Sequence, residues 1–217
     1  MARILIPTRN RPTSLASVVA YLSAFYPASE VIIADGSIAA FAAENAKNMA
    51  LASEQLAIDY RQYSYDLPFF DRLLEVLRGE SDRWIIMGSD DDYPMMDVLD
   101  RAEARLRSND GAVTAMGSLL NLFVREDGSL LAAIQRSRPL MAADPERRAR
   151  MLAQWSFATT YAVTDRHHLI ERYERARSLF LLGYFDFGVA MHDCLAGKVI
   201  ALPDLGFVAT RNFNHSY

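Results

Sequence analysis

The chain has 217 residues, 51% of them hydrophobic and 23% charged, with 23 Lys and Arg set against 27 Asp and Glu for a formal charge of −4. Interspersed charge of both signs excludes a broad basic field of the kind that binds nucleic acid, and the apolar content excludes a disordered chain. A single cysteine, Cys194, excludes an intrachain disulfide framework and a cysteine-built zinc site, and no apolar run approaches the roughly 20 residues that span a bilayer.

These figures fit one α/β domain in a reducing cytosol, with a peripheral place at the inner face of a membrane left open. The opening MARILIPTRNRP is too short in its apolar part for a signal peptide. Arg3 to Pro7 reads as a buried strand. Leu15, Val18, Val19 and Leu22 then recur at helical spacing, with Thr13 or Ser14 as the expected N-cap and Pro27 as the stop. A second buried strand, Glu30 to Ala34, runs into Asp35-Gly36-Ser37, and a helix follows from about Ala39 to Ser53. Leu56 to Tyr63 alternates as a strand does, and Phe69 to Arg78 is a helix with Phe70, Leu73, Leu74 and Leu77 on its apolar face. Trp84 to Met87 is the next strand. It leads through Gly88-Ser89-Asp90-Asp91-Asp92-Tyr93 to Pro94, placed in the first turn of a helix ending near Ser108. Four strand-helix repeats predict a largely parallel, doubly wound sheet.

The grammar changes after Asn109-Asp110-Gly111. Short strands are expected over Ala112–Met116, Leu119–Arg125 and Leu130–Ile134, with antiparallel pairing. A helix over Pro145–Trp155, a strand over Ala158–Thr164 and a helix over His167–Ala176 follow. The last elements are a helix from Asp186 to Ala196 and two strands, Val199–Leu202 and Phe207–Thr210. Neither an internal repeat nor a linker interrupts the chain, which reads as one domain over 1–217. Its halves are residues 1–110 and 111–217, and the chain could be a module of a larger protein.

Three consecutive aspartates between a strand and a helix repel one another, and a cation relieves that repulsion. Extended backbone would place Asp90 and Asp92 on the same side, where oxygen ligands suit Mg2+ or Mn2+. The plainer use of such a turn is to cap the following helix. In open α/β sheets, ligands gather outside the carboxyl ends of the strands. Asp35, the acidic turn and the Thr8-Arg9-Asn10-Arg11 loop would share that edge. This loop has no glycine, so it is no dinucleotide fingerprint; its two arginines and asparagine suit anionic or nucleotide groups, or form a solvated turn. Asp35 suits a ribose or base, or an Asx-turn with Gly36 and Ser37.

The segments Ile4-Leu5-Ile6-Pro7-Thr8-Arg9-Asn10-Arg11-Pro12, Ile32-Ile33-Ala34-Asp35-Gly36-Ser37 and the strand ending in Asp90-Asp91-Asp92 resemble the nucleotide-binding half of family-two glycosyltransferases. Pro68-Phe69-Phe70-Asp71-Arg72-Leu73 is similar to a segment of a bacterial branch in which a basic residue stands at the position of Arg72. The resemblance is strong over residues 3 to 94 and thinner beyond. It implies a GT-A fold and a nucleotide-diphosphate sugar donor, a UDP-sugar by preference. It also implies nucleoside contacts from Thr8, Arg9, Asn10, Arg11 and Asp35, further donor contacts from Arg72, Asp90 and Asp91, and a metal at Asp90 and Asp92.

Tyr184-Phe185-Asp186 looks like the acceptor-side segment, where the family carries a Glu-Asp pair whose aspartate deprotonates the acceptor hydroxyl; here Phe185 replaces the glutamate. The resemblance thus makes Asp186 the base of an inverting transfer in glycan or polysaccharide synthesis. The acceptor class spans glycan, lipid-linked and small-molecule hydroxyls. Asp186 also suits an N-cap, and Asp193, further along the same helix, is the alternative carboxylate. His215 matches the late histidine that completes the metal shell in several GT-A enzymes, although histidines so near a terminus are usually just solvated. His167, His168 and His192 carry no assigned role. The aromatics of Trp155-Ser156-Phe157-Ala158-Thr159-Thr160-Tyr161 suit core packing better than sugar stacking. Two other readings compete: a non-catalytic sugar-nucleotide-binding or scaffold module, and a sugar-nucleotide pyrophosphorylase, which should carry a Gly-rich loop after the first strand.

Overall fold

A computed structural model describes residues 2–125, 127–155, 159–179 and 185–212. Its first half alternates strand and helix: β1 (Arg3–Thr8), α1 (Pro12–Phe25), β2 (Glu30–Asp35), α2 (Ala39–Ala52), β3 (Ala57–Gln62), α3 (Phe69–Gly79) and β4 (Trp84–Met87). A short β5 (Asp92–Pro94) precedes α4 (Met96–Arg107). The second half contains β6 (Ala112–Val124), β7 (Leu130–Gln135), α5 (Pro145–Trp155), β8 (Val163–Asp165), α6 (Arg166–Leu179), α7 (Phe185–Ala196) and β9 (Lys198–Asn212).

One nine-stranded sheet runs β3-β2-β1-β4-β8-β6-β9-β5, with β7 added to β6. The strands β1 to β4 are mutually parallel; β8 is antiparallel to β4 and β6, and β5 to β9. Every antiparallel pairing thus involves a strand of the second half, but β6 and β9 run parallel to each other.

Strand alternation decides the layers. Ile4 and Ile6 of β1, with Val31 and Ile33 of β2, face a core shared with Leu15, Val18, Leu22, Met49, Leu99 and Leu106 from α1, α2 and α4. Leu5, Ile32 and Ile85 face the other way, onto Leu73, Leu74, Leu77, Leu169 and Tyr173 from α3 and α6. Covered on both faces, these strands must be continuously apolar, and polar groups can appear only at their ends. A smaller cluster joins Leu152 of α5 to Ala190 and Cys194 of α7 and to Met116 and Val199 of the sheet.

Several boundaries differ from the sequence reading. Thr13 and Ser14 lie inside α1, whose N-cap is Arg11 without a side-chain hydrogen bond, because Pro12 occupies the first turn. Pro94 belongs to β5 rather than to a helix. Of the described part of the expected Ala158–Thr164 strand, only Val163 and Thr164 are in a strand, which runs on to Asp165. The pieces read as separate strands at 112–125 and 199–210 are two long ones, β6 and β9. Turn residues look like breaks there, but the two strands absorb them through irregularities of register around Met116, Ser118 and Leu119.

Those irregularities centre on Gly117 and Gly206, which meet backbone to backbone: a Cβ on Gly117 would lie 2.5 Å from the nitrogen of Gly206 and 2.7 Å from the carbonyl oxygen of Asp204. Gly117→Ala is expected to destabilise the fold by about 1–3 kcal/mol in urea unfolding, since main chain must move. Gly188→Ala, in α7 with nothing within 4 Å of the added carbon, should be neutral or gain about 0.5–1 kcal/mol. Equal effects at the two positions would contradict this packing.

Candidate active site

The carboxyl ends of β1, β2 and β4 lie side by side, with Thr8 opposite Asp35 in the register. Thr8, 2% exposed, donates from Oγ1 to Oδ2 of Asp90 at 2.7 Å. Arg11 bridges the acidic turn, donating from Nη1 to Asp90 Oδ1 at 2.7 Å and from Nη2 to Asp91 Oδ2 at 2.6 Å. Ser89 adds a short hydrogen bond to Asp91. Burial pushes the Asp90 carboxyl above its ordinary range, against the opposing effects of Thr8 and Arg11. Burial disfavours the Arg11 charge, but the carboxylates of Asp90, Asp91 and Asp92 outweigh it and raise that guanidinium.

Asp90 and Asp92 are buried and Asp91 between them is half-buried, the alternation expected of extended chain. None of the three caps α4: its N-cap is Met95, with no side-chain hydrogen bond. The capping explanation therefore fails, and the clustered charge needs another.

Asp35 is fully buried at the end of β2. Its Oδ1 accepts from the backbone N–H of Ser37, and its Oδ2 accepts from Asn45 Nδ2 and the Tyr60 hydroxyl, each at 2.7 Å. The local turn with Ser37 is thus present. Burial, then Asp35, pushes the Tyr60 phenol up. Asn45, a buried amide in an alanine-rich helix, and Tyr60 were not singled out from sequence. The buried polar position in α2 was the available signal.

Ser37 also joins two loops. Its Oγ accepts the N–H of Asn10 at 2.7 Å, and Asn10 Oδ1 accepts the N–H of Ile38 at 2.9 Å. Asn10 adopts φ 58°, the left-handed conformation that asparagine tolerates better than most residues. This turn sends Arg9 and Arg11 in different directions: the Arg9 guanidinium lies 4.0 Å from the centre of the Tyr65 ring. Arg72, only 3% exposed, covers Gly36, where a Cβ would overlap its guanidinium. Its Nε has no hydrogen-bond partner among the described residues. Burial lowers the Arg72 pKa, with Asp35 and Asp90 opposing and Arg9 adding to the effect. Three arginines and four aspartates thus share one sheet edge.

In the second half, Asp186 sits in the first turn of α7, exposed, and accepts from Thr160 Oγ1 at 2.6 Å. The neighbouring Thr159 donates to Asp193. Asp193 is fully buried and pairs with Arg172 Nη1 at 3.0 Å and with His168 Nε2 at 2.7 Å. Burial alone would raise its carboxyl, but Arg172, then His168 and His192, hold it far below the carboxylate range. Enclosed and already paired, Asp193 does not serve as the alternative base.

His168, His192 and Asp193 offer ligand atoms within 4.8 Å of one another, a grouping with the donor types of a metal site. The buried Arg172 already supplies the positive charge there, and a second cation beside it would be repelled. We read the cluster as a buried polar anchor for α7. His215, Tyr184 and the Ser156-Phe157-Ala158 stretch lie outside the described residues. Tyr161 stacks on Phe207 with ring centres 4.9 Å apart, and both belong to the core, the packing role expected of that segment.

No family model matches the chain, and no curated protein matches it. Solved structures do. The S. aureus TarS fragment 1–349 in complex with UDP-GlcNAc aligns with a TM-score of 0.64 at 14% identity, over 97% of this chain and 59% of that one. The mannosyltransferase PcManGT from Pyrobaculum calidifontis, in complex with GDP-Man and Mn2+, aligns with a TM-score of 0.60 at 14% identity, over 99% of this chain and 57% of that one. The chain therefore spans about three fifths of the length of these structures. It has the GT-A glycosyltransferase fold that the resemblance implied.

Arg172→Met would leave Asp193 buried without its cation, and a loss of about 3–5 kcal/mol is expected in urea unfolding at neutral pH. A carboxyl whose folded pKa is depressed contributes stability that is present above its unfolded pKa and lost as pH falls through the folded value. The gap between wild type and Asp193→Asn should accordingly be full at neutral pH and shrink below about pH 4. A gap independent of pH would contradict the ion pair.

Proposed function

We propose that the chain is a glycosyltransferase that moves a sugar from a nucleotide diphosphate, a UDP-sugar by preference, to a hydroxyl acceptor. The observation that carries the reading is the joining of Thr8, Arg11, Asp90 and Asp91 by direct hydrogen bonds at the carboxyl edge of a GT-A sheet.

The acidic turn fits a divalent cation. Its donors are carboxylates only, the preference of Mn2+ and Mg2+, and Asp90 is a buried carboxyl whose charge is disfavoured by its surroundings. Asp90 and Asp92 would hold the ion, with His215 as a third ligand. Bound there, it would supply Lewis-acid stabilisation of the negative charge that develops on the departing diphosphate.

The chain's own groups account for the rest. Thr8 fixes the orientation of Asp90. Arg11, whose side chain is 48% exposed, can turn from the aspartates to a phosphate, and Arg9 and Arg72 add positive charge beside the Thr8–Asn10 loop. Asp35 supports that loop from below through Ser37. On the acceptor side Asp186 is the base: exposed to an incoming hydroxyl, it takes the proton as the acceptor oxygen bonds to the anomeric carbon. The bond from that carbon to the diphosphate oxygen breaks on the opposite face, which inverts the configuration. On this reading residues 1–110 bind the donor and 111–217 the acceptor, within glycan or polysaccharide synthesis. Phe185, standing where the family has glutamate, supports the second reading, a non-catalytic sugar-nucleotide-binding module.

Calorimetric titration with a panel of nucleoside diphosphates, with Mn2+ and with chelator, tests the donor site. Metal-dependent binding should be seen for the wild type and lost in Asp92→Ala, whereas Asp186→Asn should bind as well as wild type and turn over about 10²–10⁴-fold more slowly. Binding without turnover in the wild type would favour the module; full turnover by Asp186→Asn would remove that residue as the base.

A further inference from the structure

Thr159 and Thr160 precede β8, and their hydroxyls serve different carboxylates of α7. Thr159 is fully buried and donates to Oδ2 of Asp193, the carboxylate that Arg172 and His168 already hold. Thr160 is half-buried and donates to Oδ1 of the exposed Asp186 at 2.6 Å.

Asp186 is the second residue of α7, where the free N–H groups of the first helical turn are the nearest donors. Among the described residues its carboxylate takes no bond from them. Its one hydrogen bond comes instead from a threonine 26 residues earlier in the chain. Capping of the helix therefore does not account for the contact.

Thr160 is held from both sides. Before it, Thr159 is fixed to the buried ion pair. After it, the Tyr161 ring stacks on Phe207, and the carbonyl of Ala162 accepts the N–H of Met87 at 3.3 Å. Met87 ends β4, three residues before Asp90. A β-branched side chain on main chain fixed in this way has few rotamers, so the Oγ1 donor has a set position. An exposed carboxylate left to itself explores several, and ordering it costs entropy. The bond from Thr160 selects one of them, occupying Oδ1 and leaving Oδ2 to take a proton.

We propose that Thr160 is a positioning residue for sugar transfer, a role that rests on Asp186 being the base. Its hydroxyl holds the Asp186 carboxylate in one orientation and ties it, through Ala162 and Met87, to the strand that leads into the acidic turn. The acceptor proton passes to Asp186 Oδ2 as the acceptor oxygen bonds to the anomeric carbon, and the diphosphate leaves with the electron pair of the broken bond. The Thr160 proton stays on its own oxygen. A base held in line lowers the barrier to that step, which acts on kcat and leaves donor affinity alone.

Release of nucleoside diphosphate from UDP-glucose, UDP-N-acetylglucosamine and GDP-mannose with Mn2+, water serving as the acceptor, tests the role. Thr160→Val keeps the shape and removes the donor, whereas Thr160→Ser keeps the donor and removes the methyl group. Thr160→Val should lower kcat about tenfold with donor KM and urea midpoint as in wild type, and Thr160→Ser should restore kcat to within about threefold. A packing role would give the reverse order. Thr159→Val, which strips a hydrogen bond from the buried Asp193, should instead lower the urea midpoint. Full turnover by Thr160→Val, or equal losses in the Val and Ser variants, would overturn the positioning role, and a slow Asp186→Asn beside it would leave the base in place. No release by wild type from any of the three donors, or full turnover by Asp186→Asn, would overturn the base and the role of Thr160 with it.

Discussion

The hydrogen bond from Thr8 to Asp90 closes a distance of 82 residues in sequence and joins the end of the first parallel strand to the acidic turn. It exists because the strands leave no other place for polar groups: β1, β2 and β4 are buried on both faces, so their first hydrophilic side chains emerge together at one edge. A carboxylate buried there is costly unless it is hydrogen-bonded and paired, and Thr8 and Arg11 meet both needs. The arrangement keeps two buried aspartates beside a half-exposed arginine.

The second support is the clasp beneath the first loop. Asp35 holds Ser37, Ser37 holds Asn10, and Asn10 holds Ile38, so that a left-handed residue is maintained by hydrogen bonds from the neighbouring strand end. The consequence is directional: Arg9 is turned onto Tyr65 while Arg11 is turned onto the aspartates. Asp35 matters here through the main chain that it fixes. Its place in the fold is the one expected from sequence, but its visible partners are Ser37, Asn45 and Tyr60.

Legibility in the sequence followed periodicity. The strand-helix repeats were readable because each buries a stripe or a full apolar run, and the bounds of Trp84–Met87 and Pro145–Trp155 were read without error. The long strands β6 and β9 were read as fragments because Gly117, Pro203 and Gly206 are ordinary turn residues, whereas here Gly117 and Gly206 let two main chains approach closely. Short β5 was missed because three residues carry no period. At the site, the sequence drew attention to Thr8, Arg11 and Asp90, whereas Thr160 and Tyr60 carry no local mark and Asn45 only its polar place on the buried stripe of α2. Their roles arise only when strands distant in sequence come together.

The two aspartates of α7 place one carboxylate inside the protein and one at its surface. Asp186 and Asp193 are two turns apart, and each takes a hydroxyl hydrogen bond from one of two adjacent threonines. Thr159 faces inward to an aspartate locked by a buried arginine, and Thr160 faces outward to an aspartate open to solvent. Since both bonds come from one dipeptide, the buried pair sets the axial position of α7 and thereby the place at which Asp186 meets the surface. Environment separates the two carboxylates, the inner one enclosed and held ionised by Arg172, the outer one open to solvent. The buried pair of Arg172 and Asp193 thus anchors the helix whose first turn presents Asp186 to solvent.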